Sequence, residues 1–307
     1  MAENLLQSAR DKLYTAREKR IHPYKDDKIL MDWNGLLIAA LAKGGRILKE
    51  KRFIEAAEKA VEFFLTNMRS PQGFFFHRYR AGEAAVPTFL EDYAFFIWGL
   101  IELYESTFIP EYLTTALELN QLLLLHFLDK ENGGFFQTSA QSEEVLVRNK
   151  EVFDGAIPSG NSITMLNLIR LARLTGNPSL EQEARRIAQA FAGTVLVSPA
   201  YYTQFLSAVD FGFGPSFELV IVGRKGRKET EKMLETVENT FLPNKVVLFR
   251  PTDEENPEII RKNSFLKELT EIEGKTTAYV CRNYHCNLPT TDPDKMLELL
   301  QGERNGL

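Results

Sequence analysis

The feature that most constrains the fold is a repeated pair of amphipathic helices. From about residue 30 to about residue 197, apolar residues recur at three- and four-residue spacing. Three segments open in a similar way, each near a residue suited to capping a helix: "DWNGLLIAALAKGGRIL", "EDYAFFIWGLIELYEST" and "SGNSITMLNLIRLARLTG". A second amphipathic helix follows each of them, at Arg52 to Met68, Glu111 to Phe127 and Ser179 to Val195. The repeating unit is therefore a helical hairpin.

The length of the repeat indicates how these hairpins are arranged. Two of them end alike, in "SPQGFFFHR" and "KENGGFFQT", about 60 residues apart. One helix pair per unit of this length is typical of a toroid or solenoid of hairpins. The Gly-Phe-Phe ends favour short β-turn excursions, because glycine allows unusual dihedrals and aromatic residues favour extended structure. We therefore expect a mostly α fold, a partial α/α toroid of about three hairpins.

The pattern changes after Asp210. Strand patterns at "FELVIVG", "KVVLFRP" and "TTAYVCRN" alternate with helical patterns at Lys225 to Thr240, Pro257 to Leu269 and "DPDKMLELL". Such alternation predicts a small parallel or mixed sheet covered by helices. We expect two domains, an α/α-hairpin half-toroid over residues 1–210 and a small α/β domain over residues 211–307.

Composition excludes several classes of protein. The 307-residue chain has a formal net charge of -5 and no basic cluster, so we expect no nucleic-acid partner. Its apolar runs are too short to span a membrane, and the charged N-terminal segment has no signal-peptide core, so we expect a cytoplasmic protein. The two cysteines, Cys281 and Cys286, argue against a disulfide scaffold and fit a reducing compartment. With His285 they form C-x3-H-C without a fourth ligand, and we expect neither a metal site nor a cofactor.

The hairpin arrangement predicts where a site would lie. In a ring of hairpins, the N-termini of the first helices gather at one end, and the loops that follow the second helices gather there too. This places "DDKILMDWNG", "TFLEDYAF" and "DGAIPSGNS" on a common rim. Helix N-termini offer unpaired amides and partial positive charge, which suit a polar, oxygen-rich ligand.

Four rim carboxylates are candidate catalytic residues: Asp32, Glu91, Asp92 and Asp154. Two positioned carboxylates can carry out acid–base chemistry on a sugar, with their separation deciding whether water or the enzyme attacks. A structural role competes for each aspartate, because Asp32 and Asp92 could cap helices and Asp154 could close a turn.

Other rim side chains are candidate ligand-binding residues. Aromatic side chains could stack on a sugar ring or belong to the core, and amides could hold hydroxyl groups or cap helices. Two histidines could reach the rim from the segments that flank the first hairpin. Ser159 lies in "PSGNS", which lacks the G-x-S-x-G elbow of a hydrolase nucleophile. The full set is His22, Asp27, Trp33, Asn34, His77, Tyr93, Ser159 and Asn161.

The same segments carry a family resemblance. In order, "HPYKDDKILMDWNGLLIAALA", "LEDYAFFIWGLIELYE", "DGAIPSGNSITMLNLIRLARLTG" and "GKTTAYVCRNYHCNLPTTDP" look like signatures of the YyaL-like family of thioredoxin-domain-containing, spermatogenesis-associated proteins. The resemblance covers nearly the whole chain. It implies an (α/α)6 barrel similar to six-hairpin glycosidases and N-acylglucosamine 2-epimerases, and hence a carbohydrate-type cavity with a sugar ligand.

The chain departs from that family in one respect. It has no thioredoxin-like region, no C-x-x-C and only about three of the six hairpins, so it resembles the C-terminal half. The redox function of the missing domain is therefore not implied. Three hairpins leave open edges of apolar surface. We expect a protein partner that supplies the missing half of the toroid, or self-association.

Two functions from different classes follow. The first is a carbohydrate-active protein with its cavity at the rim, using carboxylates for glycoside hydrolysis or histidine for sugar epimerisation. The second is a non-catalytic binding or assembly module that pairs with an N-terminal-half polypeptide. In the enzyme, at least two ionisable groups should converge with perturbed pKa values, whereas in the module the aspartates should bond to helix amides.

Overall fold

Three helical hairpins form the main body of the protein. The computed structural model describes residues 2–141, 146–254, 257–282 and 284–301. The first helices of the hairpins are α2 (Met31–Leu48), α4 (Leu90–Thr107) and α6 (Gly160–Thr175), and the second helices are α3 (Lys51–Asn67), α5 (Pro110–His126) and α7 (Pro178–Val197). Two further helices, which the sequence analysis did not predict, flank this body, α1 (Ala2–Glu18) before it and α8 (Thr203–Phe213) after it.

The helices form the arc of an α/α toroid, which confirms the predicted fold class. Helix α2 packs on α4, α4 on α6, and α6 on α8, so that the first helices lie side by side. Each packs against the second helix of its own hairpin. Helix α4 lies in the middle of the arc and is buried along nearly its whole length.

The backbones of α2 and α4 approach each other closely at two glycines. A Cβ atom on Gly35 would lie 2.6 Å from the carbonyl carbon of Phe95 and 2.7 Å from the amide nitrogen of Phe96. A Cβ atom on Gly99 would lie 3.0 Å from the carbonyl oxygen of Gly35. Only glycine permits backbones to come this close. The first turns of the two helices are therefore held together.

A small antiparallel sheet joins the entrance of α2 to the end of the first hairpin. Its strands are β1 (Ile29–Leu30), β2 (Phe76–Arg80) and β3 (Glu83–Pro87), in the order β1-β2-β3. Leu30 pairs with Arg78, so the residue before α2 lies beside the strand that carries His77.

Both Gly-Phe-Phe segments form short extended bridges, as predicted. Arg69 pairs with Phe75 after α3, and Leu128 pairs with Phe135 after α5. The two bridges occupy equivalent places in successive hairpins, which supports the repeat of about 60 residues.

A four-stranded mixed sheet follows the hairpins. Its strands are β4 (Phe217–Gly223), β5 (Lys245–Pro251), β6 (Thr277–Arg282) and β7 (His285–Cys286), in the order β5-β4-β6-β7. Strand β4 is parallel to β5 and antiparallel to β6. The accompanying helices are α9 (Lys228–Glu238), α10 (Glu258–Lys262) and α11 (Pro293–Gln301). The single helix predicted for Pro257 to Leu269 is instead α10 followed by a 3-10 turn at Ser264–Glu268.

The two faces of this sheet have different partners. Leu219 and Ile221 point towards α9 and α11. Val220, Val246 and Leu248 belong to the same apolar core as the helical hairpins. The sheet therefore covers the helical arc and shares its core.

The two cysteines are paired. Cys281 and Cys286 lie opposite each other in β6 and β7 and form a disulfide. The pairing differs from the sequence-based expectation, which had argued against a disulfide scaffold. In the described part of the chain, no helix combines the length and the apolar character needed to cross a bilayer.

Candidate acid–base site at the rim

The N-termini of α2, α4 and α6 come together, as the hairpin repeat predicts. The backbone N–H of Asp32 donates to Oδ1 of Asp92 at 3.0 Å, which joins α2 to α4. A Cβ atom added to Gly160 would lie 2.9 Å from Oε1 of Glu91. The start of α6 therefore packs against the start of α4. The three rim segments therefore meet at one place.

Asp92 lies at the buried centre of this meeting point, and its side chain and those of Asp32, His77 and Glu91 form what we call the rim cluster. The side chain of Asp92 is 0 % exposed. Oδ2 accepts the N–H of Phe89 at 2.8 Å, which caps α4, and Oδ1 accepts the N–H of Asp32. Both oxygens also lie within hydrogen-bond distance of Nδ1 of His77, at 2.9 and 3.0 Å. The carboxylate of Asp92 is thus buried and engaged by two backbone N–H groups and the imidazole of His77.

His77 presents its second ring nitrogen outward. Because an ionised carboxylate only accepts hydrogen bonds, Nδ1 carries a proton towards Asp92. Nε2 has no hydrogen-bond partner among the residues that the structure describes, and 21 % of the side chain is exposed. The hydrogen bond that His77 donates to Asp92 raises the pKa of His77 and outweighs the opposing effect of burial. The ring of Phe89 packs edge-on against the imidazole at 5.2 Å.

Two further carboxyl groups at the rim are biased towards their protonated forms. Burial, followed by the charge of Asp92, raises the pKa of Asp32, although the N–H of Trp33 donates to it at 2.7 Å. Burial also raises the pKa of Glu91, with smaller contributions from Asp92 and Asp32. The site therefore brings together three ionisable groups whose pKa values are all raised.

Three side chains of the cluster lie close enough together to hold a metal ion. One donor atom each from Asp32, His77 and Asp92 lie within 4.8 Å of one another. The sequence analysis expected no metal and did not identify this set. Both oxygens of Asp92 already accept N–H groups, which favours an acid–base role for the cluster and makes metal addition a necessary control.

A cavity of about 530 Å³ lies beside the rim segment that begins at Asp154. Leu36, one turn after Asp32 in α2, and Trp98, two turns after Glu91 in α4, line its wall. Asp32, His77, Glu91 and Asp92 are not among the lining residues, so the cavity lies further along α2 and α4 than the cluster does. Its volume falls in the range of small-molecule sites.

Asp154 lines the same cavity, but its carboxylate is engaged by the backbone. Oδ1 accepts the N–H of Ser159 at 2.9 Å, and Oδ2 accepts those of Gln204 and Phe205 at 2.9 and 3.0 Å. Asp154 therefore closes its own loop and caps α8, which is the structural role that competed with catalysis.

The predicted aromatic and amide residues of α2 and α4 differ in exposure. Trp33 follows Asp32 and is 61 % exposed. Asn34 donates from Nδ2 to the carbonyl of Leu30 at 2.8 Å, one turn back. Tyr93 is buried in the aromatic core, with its ring 5.6 Å from that of Phe127. Of these three residues, Trp33 is the one with a free surface for a ligand.

The polar residues predicted at the start of α6 form hydrogen bonds within the fold. Ser159 caps α6 by accepting the N–H of Ser162 at 3.1 Å. Asn161 is fully buried, and its amide bonds to both backbone groups of Phe135, at 2.8 and 2.9 Å, and to the carbonyl of Glu151 at 2.8 Å. These bonds tie the Gly-Phe-Phe turn to α6.

Two predicted residues lie away from the cluster. Asp27 forms an exposed ion pair with Nε of Arg80 at 2.6 Å. His22 is exposed and contacts the backbone carbonyl of Glu18 at 3.3 Å. Neither approaches Asp92.

Sequence reasoning missed a group of charges on the inner surface of the arc. Glu102 and Glu105 lie on α4, between Arg46 of α2 and Arg170 of α6. The signal was present, because two glutamates interrupt the otherwise apolar sequence of a buried helix.

Similarity to known proteins identifies the family. No family model matches the chain. Spermatogenesis-associated protein 20 of Homo sapiens is 32% identical over 306 residues, covering 96% of this chain and 39% of that protein. The rat protein of the same name is 30% identical over 306 residues, with the same shares of each chain covered. The chain is a homologue of spermatogenesis-associated protein 20. The resemblance to the YyaL-like family is confirmed, and the chain spans about two fifths of the length of the curated relatives it matches.

Several solved structures have a similar arrangement of helices. Cellobiose 2-epimerase from Bacillus thermoamylovorans gives a TM-score of 0.47 at 17% identity, covering 57% of this chain and 47% of the epimerase. A family 76 α-mannanase from Bacteroides thetaiotaomicron gives 0.45 at 14% identity, covering 62% and 60%. At these values the likeness concerns the helical architecture alone.

Proposed function

We propose that the rim cluster is an acid–base site that acts on a sugar. The observation that carries this proposal is the convergence of His77, Asp32 and Glu91 around the buried carboxylate of Asp92, with the pKa of each of the three raised. Converging ionisable groups with perturbed pKa values support the enzyme, whereas the bonds of Asp92, Asp32 and Asp154 to backbone N–H groups are those expected of the binding module.

Each residue has a distinct role in the proposed site. Asp92 is a positioning residue that holds the His77 ring and favours its Nδ1–H form. Nε2 of His77 exchanges a proton with the ligand, and the carboxyl of Asp32 is the second proton carrier. In an epimerase-like reaction, one group removes the proton from the carbon next to a carbonyl and the other returns a proton to the opposite face. In a hydrolase-like reaction, a protonated carboxyl donates to the glycosidic oxygen.

The surroundings support a sugar as the ligand. Trp33 offers an exposed aromatic face beside Asp32, and Phe89 borders His77. A sugar ring combines an apolar face with hydroxyl groups, so it matches an aromatic wall beside proton-exchanging groups. The neighbouring cavity of about 530 Å³ has room for such a ring.

The proposal is tested with a panel of reducing sugars and disaccharides incubated with the protein in D2O. Proton NMR distinguishes epimerisation, which replaces the C2 hydrogen with deuterium, from hydrolysis, which releases a new reducing end. We expect His77→Asn and Asp32→Asn to lose the reaction, and His285→Asn, a change at an exposed histidine of β7, to retain it. Equal turnover in all variants would contradict the proposal.

A metal control belongs to the same experiment. We expect the reaction to survive EDTA and to be insensitive to added Mg²⁺ or Zn²⁺. Loss with EDTA and recovery with one ion would assign Asp32, His77 and Asp92 a metal-binding role instead.

The second candidate function, a binding or assembly module, is favoured by the outer face of α2. Trp33, Leu37 and Ile47 form an apolar stripe at helical spacing and are 61, 52 and 51 % exposed. We propose that a protein partner, a polypeptide equivalent to the N-terminal part of the homologues, covers this stripe and extends the arc. A second copy of the chain is the competing occupant.

Light scattering tests this interface. The chain is measured alone and with such a polypeptide, and we expect a stable complex that the double change Trp33→Ser with Leu37→Ser disrupts. Phe241→Ser, which changes an apolar residue that is 82 % exposed elsewhere, is the matched control. A monodisperse monomer that binds no added partner would contradict the assembly proposal and leave the rim chemistry to be judged separately.

A further inference from the structure

A second cavity lies at the opposite end of the first helices. It has a volume of about 400 Å³ and forms where α2, α4 and α6 meet strand β5 and helix α9. Lys43 lies eleven residues after Asp32 on α2, which is about 16 Å along the helix axis. The cavity is therefore separate from the proposed acid–base residues, and an inference about it goes beyond the proposed function.

The carboxylates of this cavity are shared between two arginines. Glu102 contacts Arg170 at 2.7 Å and Arg46 at 3.5 Å. Glu105 contacts Arg170 at 3.2 Å and Arg46 at 3.3 Å. All four side chains are at most 10 % exposed. Two buried negative charges thus balance two buried positive charges.

Two lysines of the cavity form no close ion pair, although carboxylates of the lining lie near enough to act on them electrostatically. Lys43 and Lys245 both line the cavity, and neither forms an ion pair with any residue that the structure describes. Nζ of Lys245 donates only to the carbonyl of Leu242, at 3.1 Å. Burial lowers the pKa of Lys245, the charges of Glu105 and Glu102 oppose this effect, and those of Arg46 and Lys43 add to it. Burial also raises the pKa of Glu238, the remaining acid of the lining. Because burial disfavours its charged form, Glu238 is a weaker counter-charge for the two lysines.

The cavity also contains an unsatisfied acceptor. Oε2 of Glu102 is buried and accepts no hydrogen bond, its nearest cation being the guanidinium of Arg46 at 3.5 Å, whereas Oε1 accepts from Arg170 at 2.7 Å and from the indole N–H of Trp98 at 3.2 Å. A buried carboxylate oxygen without a donor is costly. A ligand hydroxyl would supply the missing hydrogen bond, and the Trp98 ring borders the same space.

We propose that this cavity binds a phosphorylated sugar, with the phosphate facing Lys43 and Lys245 and a sugar hydroxyl donating to Glu102. Unpaired lysines act as point charges for a phosphate group. The hydroxyl requirement distinguishes a sugar phosphate from a simple anion. Lys43, Trp98 and Glu102 line this cavity and the cavity beside the rim, so the two adjoin.

Isothermal titration calorimetry on the whole chain tests the site with glucose 6-phosphate, inorganic phosphate and glucose as probes. We expect glucose 6-phosphate to bind, inorganic phosphate to bind at least tenfold more weakly, and any binding of glucose, which would belong to the rim, to be unchanged in the double lysine variant described next. The double change Lys43→Gln with Lys245→Gln should weaken glucose 6-phosphate at least tenfold. Lys228→Gln, at an exposed lysine of α9, should bind like the wild type.

His77→Asn separates this site from the rim. We expect it to bind glucose 6-phosphate as the wild type does, whatever its effect on rim chemistry. Unchanged affinity in the double lysine variant, or no binding of either phosphate compound, would overturn the proposal. Equal affinity for inorganic phosphate and glucose 6-phosphate would overturn the assignment of a sugar hydroxyl to Glu102.

Discussion

The hydrogen bond between His77 and Asp92 determines how protons move at the rim. Asp92 is buried and accepts two backbone N–H groups as well as the imidazole. Nε2 of His77 is left free on the outside. The pair therefore resembles a general base with its orienting carboxylate.

The first prediction concerns the titration of His77. Of the four histidines, His77 should titrate above the ordinary value of 6.5, because Asp92 stabilises its charged form. His126 should titrate below 6.5, because burial disfavours its charge. Proton NMR of the ring Hε1 signals measures both values. Asp92→Asn should bring the His77 midpoint down, and an unchanged midpoint would show that Asp92 does not control it.

The second prediction follows from thermodynamic linkage. A histidine whose pKa is raised on folding stabilises the fold fully below its unfolded pKa, near 6.5, and this contribution is lost as pH rises through the folded pKa. His77→Gln should therefore destabilise the protein more at about pH 6 than at about pH 9, by an amount on the order of one charged hydrogen bond, about 1.5–3 kcal/mol. Urea unfolding of both proteins at the two pH values measures this difference. A pH-independent effect would mean that packing, and not charge, explains the role of His77.

The sequence identified the residue types of the rim more readily than their roles. Asp32 and Asp92 could be selected because hairpin periodicity places helix starts on one rim. Asp32 is half-buried, whereas Asp92 is buried and fully hydrogen-bonded. This difference depends on contacts such as that between Asp32 and Asp92, which are 60 residues apart, and periodicity does not specify such contacts. For the same reason, the bonds of Asn161 to the Phe135 turn could not be predicted.

At the scale of elements, continuous patterns predicted their boundaries best. Strands β4 and β5 match the predicted ranges because each contains a run of consecutive apolar residues within polar surroundings. Helix α9 is shorter than the predicted Lys225 to Thr240, because its ends carry little apolar pattern. Helix α1 was not predicted, and none of its residues is buried, so no apolar stripe marked it.

The third prediction concerns the contact between α2 and α4. Gly35→Ala should destabilise the protein by about 1–3 kcal/mol or more, because a Cβ atom would overlap the backbone of α4 at Phe95 and Phe96. Gly44→Ala is the matched change in the same helix. It should be neutral or stabilise by up to about 1 kcal/mol, because a Cβ atom at Gly44 meets nothing within 4 Å.

Chemical denaturation of the two variants decides this prediction. If Gly35→Ala were as stable as Gly44→Ala, the close packing of α2 on α4 would not hold the rim together. The sequence alone could not rank the two glycines, because the difference lies in the neighbouring helix.

At the scale of the whole molecule, the sheet and the hairpins share one apolar core. Val220, Val246 and Leu248 of the sheet belong to the same buried cluster as the first helices of the hairpins. Alternating strand and helix patterns after Asp210 predicted the sheet but not which of its faces would be covered by the arc. That arrangement depends on contacts between distant parts of the chain.

The fourth prediction is that the arc and the sheet unfold together. Hydrogen exchange by mass spectrometry, at denaturant concentrations below the midpoint, should show peptides from α4 and from β4 opening with the same free energy. Val246→Ala should lower both by about 1–3 kcal/mol, because it removes buried methyl groups from the shared core. Loss of protection in β4 alone would show that the sheet is an independent unit.

The measurement that tests the rim chemistry most directly is deuterium incorporation at C2 of a reducing sugar in D2O, compared between wild type, His77→Asn and His285→Asn. Removal of a general acid–base group should slow the reaction by about 10²–10⁴-fold in His77→Asn. The His285→Asn protein should match the wild type. If His77→Asn exchanged as fast as the wild type, or if loss of activity followed His285→Asn equally, the rim cluster would not be the site of proton transfer.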